Sequence, residues 1–167
     1  MTALTQTDRD FLAQAIAISR HALEDQGKTP FGALVVVGHE IIGKGTSSVI
    51  ELLDPSAHAE IMALRDAAAK RRGHLIENGT LYSSSEPCPM CLTACYWARI
   101  SRVVFGATSY DVAKYGFEDL QLYRELSRVT EQRSLREDAA DATLRDQAAD
   151  VLREWAELLP EPIVPKY

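Results

Sequence analysis

Cysteine is scarce in this chain. It has three, and two of them, Cys88 and Cys91, share one C-x-x-C, so no disulfide framework can be drawn. Long apolar runs are missing too. The longest, such as Ala33 to Val37, are far too short to span a bilayer. Met1 to Arg9 shows no basic stretch followed by an apolar one, so no secretory signal is read there. A reducing, cytoplasmic setting without a membrane partner is therefore expected, and it leaves the thiols free. Positive charge is also in short supply. The formal net charge of -6 argues against a large nucleic-acid partner, which requires a basic surface. Arg65, Lys70, Arg71 and Arg72 read as a solvated helix end rather than an RNA footprint. No internal repeat or linker divides the sequence.

What is present is the composition of a globular protein, with 46% hydrophobic and 25% charged residues among 167. That length is expected to form a single domain over residues 1–167. Phe11, Ala15, Ile18 and Ala22 recur at helical spacing, predicting a helix over residues 8–26. Thr29 to Gly32 reads as a turn, and residues 33–37 and 41–46 as a β-hairpin. A loop covers residues 47–53. Asp54 as N-cap and Pro55 at the first helical position predict a helix to Arg72, with His58 and Glu60 in its first turn. Residues 80–84 and 102–107 read as strands. Between them a helix opens with Cys88 as its cap and Pro89 at its first position. Residues 109–116 read as a loop, 117–126 as a short helix and 129–135 as a poor fifth strand. Residues 138–159 carry Leu144, Ala148, Val151, Trp155 and Leu158 at amphipathic spacing, and an extended tail runs on to Tyr167. Strands alternating with helices predict an α/β three-layer αβα sandwich around a mixed sheet of about five strands.

The chemistry concentrates in two segments, His58-Ala59-Glu60 and Ser85-Glu86-Pro87-Cys88-Pro89-Met90-Cys91. An imidazole and two thiols offer three zinc ligands. Cys88 and Cys91 are three apart and share a helix face, and a helix N-terminus favours the thiolates that zinc requires. A structural zinc site is closed by four protein ligands, whereas a catalytic one keeps a position for water. Glu60 is a poor fourth ligand and a good proton carrier. His58, Cys88 and Cys91 are thus expected to hold catalytic Zn2+, with Glu60 moving a proton from water to a ring nitrogen and then to a leaving amine. The competing reading is a structural site with a further ligand. Cys95 reads as a buried apolar thiol, and His21, His39 and His74 as surface or turn residues.

These segments, in the order H-x-E…P-C-x-x-C, resemble the cytidine deaminase-like superfamily of zinc deaminases. The likeness to the bacterial guanine deaminases of that fold rests on several stretches. They are Pro30-Phe31-Gly32-Ala33, Asp54-Pro55-Ser56-Ala57-His58-Ala59-Glu60, Glu86-Pro87-Cys88-Pro89-Met90-Cys91, Tyr96-Trp97-Ala98-Arg99, the Gly116-Phe117-Glu118-Asp119 part of the following loop, and a terminal Tyr167. The resemblance implies that Phe31 stacks on the base, that Asp119 accepts hydrogen bonds from it and that Ala59 gives a backbone contact. It also implies a homodimer in which Tyr167 closes the site, with residues 138–167 able to swap between subunits. One departure stands out: Ser47 occupies the substrate-gripping position where these families carry an asparagine, and a hydroxyl cannot reproduce both amide groups at that reach. Residues 135–142 also lack the family's apolar fifth strand.

The expected activity is zinc-dependent hydrolytic deamination of a small-molecule nucleobase, guanine or a related aminated purine-like heterocycle. Deamination of tRNA adenosine, of cytosine or of cytidine shares the same metal motif. A zinc-stabilised scaffold without turnover is the alternative from another class, and Glu60 speaks against it. Phe31 can be a substrate platform or a core aromatic, Glu118 or Asp111 could replace Asp119, and Tyr96 and Trp97 read as core or dimer contacts.

Overall fold

The structure, a computed structural model, describes residues 3–25 and 27–162. The chain divides into two compact units, Met1–Ser127 and Arg128–Tyr167.

In the first unit, α1 (Gln6–His21) opens with a capping box: Thr5 Oγ1 accepts from Asp8 N, and the Asp8 carboxylate accepts from Thr5 N. The hairpin strands β1 (Thr29–Val37) and β2 (Glu40–Ser47) pair antiparallel, turning at Gly38, whose φ of 62 suits glycine. A short α2 (Val49–Leu52) leads to α3 (Ala59–Arg71). Next come β3 (Gly79–Ser85), α4 (Pro89–Trp97) and β4 (Arg102–Ala107). Two short helices, α5 (Ser109–Ala113) and α6 (Asp119–Leu126), close the unit. The sheet order is β2-β1-β3-β4, with β1 antiparallel to both neighbours and β3 parallel to β4.

Successive residues of a strand point to opposite faces, and both faces of this sheet are covered. Leu34 and Val36 of β1 pack with Tyr82, Val104 and, from α1, Phe11 and Ala15. Ala33 and Val35 pack on the other side with Leu81, Ala59, Ala63, Leu64 and Ala67 of α3, and Cys95 of α4. The apolar run in β1 therefore shows no alternation, because it is buried on both sides. Complete burial of Leu34 and Leu81 contributes about 1.5–3 kcal/mol each. Helix α3 lies directly on β2. A Cβ at Gly45 would stand 2.1 Å from the Ala59 carbonyl oxygen and 2.4 Å from the Ala63 nitrogen, so only glycine permits this approach.

The second unit holds a 3-10 turn (Thr130–Gln132) and α7 (Ala142–Glu157), whose cap Asp141 accepts from Leu144 N at 3.0 Å. Leu144, Val151, Trp155 and Leu158 form an exposed apolar stripe. Among the described residues, no helix is long and apolar enough to cross a membrane.

The α/β sandwich agrees with expectation, but several boundaries do not. The sheet has four strands among the described residues. Residues 129–135 form no fifth strand: Glu131, Gln132 and Arg133 offer no apolar face, and Val129 and Leu135 are exposed. Thr29 to Gly32 belongs to β1, where the register shifts, rather than to a turn. Residue 47 ends β2, and α2 occupies most of the loop expected there. Helix α3 starts at Ala59, because Asp54 turns its carboxylate back onto Ser56 N and Oγ and His58 becomes the cap. Residues 109–116 contain α5, capped by Thr108 and Asp111. The expected tail lies, beyond Pro162, outside the described residues.

Candidate active site

Two strand-to-helix connections meet at one edge of the sheet. The segment after β2 delivers His58, Ala59 and Glu60 at the start of α3. The segment after β3 delivers Cys88 as cap of α4 and Cys91 in its first turn. Because β1 runs antiparallel to both strands, its beginning, Thr29 and Phe31, reaches the same edge. Helix α6 begins there with Asp119.

The ligand atoms of His58, Cys88 and Cys91 lie within 4.8 Å of one another. Cys88 Sγ is 3.6 Å from His58 Nδ1. Zinc bonds of about 2.0–2.1 Å to nitrogen and 2.3 Å to sulfur place tetrahedral N and S roughly 3.6 Å apart, so the cluster fits the ion. The thiols polarise each other: the Cys91 thiol beside Cys88 holds the Cys88 thiol well below the usual thiol range, with His58 adding to the effect. The same contact raises Cys91. His58 is raised, first by its bond to Cys88. No fourth His, Cys, Asp or Glu joins the group among the described residues, so the three ligands leave a position open. Cys95 is buried, outside the cluster, and pushed up to about 12 by burial.

Glu60 is 4% exposed, and desolvation raises its carboxyl above the usual range. Ser83 donates to its Oε1 at 3.0 Å, while Oε2 lies 3.5 Å from Cys91 Sγ. A buried carboxyl beside a ligand cluster is suited to carrying protons. It opens onto a cavity of about 200 Å³ together with His58 and Cys88.

The expected substrate residues come together on the cavity wall. Phe31, Ser47, Ala59 and Asp119 all line it. Phe31 also packs against the core. Its ring meets Phe117 edge-on, with centroids 4.8 Å apart and planes at 81°. Ser47 is buried and accepts from Thr29 Oγ1 at 2.6 Å. Asp119 is half-buried and raised, first by burial and then by the charge of Cys88. Of its rivals, Glu118 is exposed, and Asp111 spends its carboxylate on Thr108 and Lys114. Tyr167 lies outside the described residues. His21, His39 and His74 are exposed, as are Tyr96 and Trp97, so neither aromatic belongs to the core.

Thr29, Val49, Ser85 and Phe117 also line the cavity and were not anticipated, nor was Ser83 behind it. The period of β3 carried a signal for Ser83, since Leu81, Ser83 and Ser85 fall on one face. The connecting loop is braced from two sides: Tyr123 donates to the Pro87 carbonyl, and Ser109 N donates to Glu86 Oε2 at 2.7 Å.

The family described as the cytidine and deoxycytidylate deaminase zinc-binding region matches residues 5–107. A guanine deaminase of Bacillus subtilis is 38% identical over 125 residues, which cover 75% of this chain and 80% of that protein. A tRNA-specific adenosine deaminase of Buchnera aphidicola (subspecies Schizaphis graminum) is 41% identical over 113 residues, 67% of this chain and 75% of that protein. The X-ray structure of guanine deaminase from Bacillus subtilis superposes with a TM-score of 0.86 at 31% identity, over 96% of this chain and 99% of that one.

Proposed function

The chain belongs to the cytidine and deoxycytidylate deaminase zinc-binding family, and from that premise we propose that it deaminates free guanine. Zinc-dependent hydrolytic deamination of a nucleobase is the activity of this enzyme; the choice of base rests on its cavity. The observation that carries guanine is the half-buried carboxyl of Asp119, which shares the cavity with Glu60 and two aromatic rings. A carboxylate accepts hydrogen bonds and donates none, so it selects a ring with N–H groups along one edge. Likeness to the Bacillus guanine deaminase structure over nearly the whole chain supports the same reading.

His58, Cys88 and Cys91 would hold the zinc. When bound, the ion supplies a Lewis acid that brings the pKa of a water down to about 7. Glu60 takes a proton at the carboxyl oxygen turned toward the ligand cluster. It gives that proton to a ring nitrogen as the water oxygen bonds the ring carbon, then carries the second water proton to the amino group, so that the C–N bond breaks, ammonia leaves and a ring carbonyl remains. Phe31 and Phe117 fix the plane of the ring, and Asp119 with the Ala59 backbone fixes its rotation. Thr29 and Ser47 together offer a donor and an acceptor where an asparagine amide is expected. The exposed Trp97 and Tyr96 and the apolar stripe of α7 support a homodimer in which the segment carrying α7 is exchanged. Three free cysteines support a cytoplasmic location.

A second reading, deamination of tRNA adenosine, is favoured by the Buchnera relative and opposed by the net charge of -6. Ammonia release from guanine, guanosine, adenine, cytosine, cytidine, ammeline-type triazines and tRNA decides between them. Rapid turnover of guanine is expected. Silence on guanine with turnover of another ring overturns the choice of base, and turnover of tRNA alone establishes the second reading.

A further inference from the structure

We propose that Ser83 is a positioning residue that holds the Glu60 carboxyl in its proton-transferring orientation. The inference rests on Glu60 being the proton carrier. Ser83 lies in the middle of β3, paired with Ala33 on one side and Phe105 on the other. Its side chain is on the α3 face of the sheet, as is that of Leu81, in a layer built from Ala33, Val35, Ala59 and Ala63. It is 1% exposed. A hydroxyl in an apolar layer is unfavourable unless it is bonded, and an alanine there would meet no such penalty. The hydroxyl of Ser83 is bonded to Oε1 of Glu60 at 3.0 Å. The neighbouring Ser84 faces the other way and accepts from Gly32 N at 3.1 Å, a bond that holds two strands together. Adjacent serines thus divide two tasks between the two faces of one strand.

The Ser83 bond makes the two oxygens of Glu60 unequal. Oε1 is tied to the sheet, and Oε2 is turned to the ligand cluster, 3.5 Å from Cys91 Sγ. A glutamate side chain has three rotatable bonds, and α3 fixes only its root. Among the described residues, Ser83 is the side-chain hydroxyl that restrains the far end. Catalysis by proton transfer depends on such placement, because a misplaced carrier binds substrate as before but turns it over slowly.

Three substitutions test the proposal. Ser83→Ala removes the hydroxyl, while Ser83→Thr and Ser83→Val add the same bulk and differ in keeping or losing it. The expected result is a roughly 10- to 100-fold loss of kcat in the alanine and valine proteins, with KM, zinc stoichiometry and melting temperature close to the parent. The threonine protein is expected to recover most of the turnover. Parental kcat in Ser83→Ala, with Glu60→Gln inactive, overturns the role of Ser83 alone. Equal losses in the threonine and valine proteins also overturn it, since packing then explains the effect. Turnover persisting in Glu60→Gln overturns the proton carrier itself and this proposal with it.

Discussion

Tyr123 donates its phenol to the main-chain carbonyl of Pro87 across 2.6 Å. This bond ties α6 to the residue before Cys88. Asp119 lies one turn earlier on the same helix, on the same face as Tyr123. Tyr123→Phe keeps the ring and removes the bond, which is worth about 0.5–1.5 kcal/mol. KM is expected to rise between about twofold and tenfold, with kcat and zinc content near parental values. Steady-state kinetics on the preferred base will read the split.

Chelation of zinc is expected to abolish ammonia release, and added zinc to restore it. An ion that binds the folded chain also stabilises it, by about 4 kcal/mol at a thousandfold excess over its dissociation constant. Differential scanning with and without chelator should therefore show a lower melting temperature in its presence.

Gly45→Ala and Gly38→Ala separate two kinds of glycine requirement. At Gly45 a methyl group would collide with the backbone of α3, so the helix must shift, at a cost of about 1–3 kcal/mol. His58 caps that helix, and weaker zinc retention and lower kcat should accompany the lost stability. At Gly38 nothing lies within 4 Å, and the cost is left-handed backbone strain of about 1–2 kcal/mol. Its melting temperature should fall while turnover is unchanged.

Asp8 is the stability hub of the opposite face. Its buried carboxylate accepts from Arg102 at 2.7 and 3.1 Å, from Tyr82 at 2.8 Å and from Thr5. The Arg102 bond, more than any other cause, holds it well below the usual carboxylate range. A depressed carboxyl contributes stability that is complete above its unfolded pKa of about 3.9 and is lost as pH falls toward the folded value. Asp8→Asn should therefore unfold at lower urea at pH 7, by about 1–3 kcal/mol, and the gap to the parent should narrow below pH 4. Denaturant titrations at pH 7 and pH 3 will measure both gaps.

The meeting of His58, Cys88 and Cys91 was legible because zinc chemistry and helix capping use the same local positions: Cys88 caps α4 and Cys91 lies in its first turn. The start of α3 was not legible. Asp54-Pro55 is a strong local cap signal, yet Ser48 N bonds the Ala57 carbonyl at 2.8 Å and holds that stretch as a turn, which moves the cap to His58. Helix α5 was read as a loop, although Thr108 and Asp111, which cap it reciprocally, are a readable pattern. The cavity wall was harder to read. Thr29, Ser85 and Phe117 come from the start of one strand, the end of another and a loop, and no local spacing in the sequence joins them. The poor fifth strand expected at Val129 to Leu135 did not form, because Glu131 to Arg133 could not supply an apolar face.

The parallel pairing of β3 with β4 has a kinetic consequence. Two parallel strands cannot be joined by a tight turn; the chain must cross over, and α4 is that crossover. The β1–β2 hairpin closes locally, whereas contacts between distant segments form more slowly. The widest separation in the sheet, beyond even that crossover, is the pairing of β1 with β3, Ala33 opposite Ser83, and it is this docking that brings Cys88 and Cys91 to His58. The ligand cluster is thus expected to assemble late in refolding, and shielding of Cys88 and Cys91 from a thiol reagent is expected to coincide with recovery of the native fold.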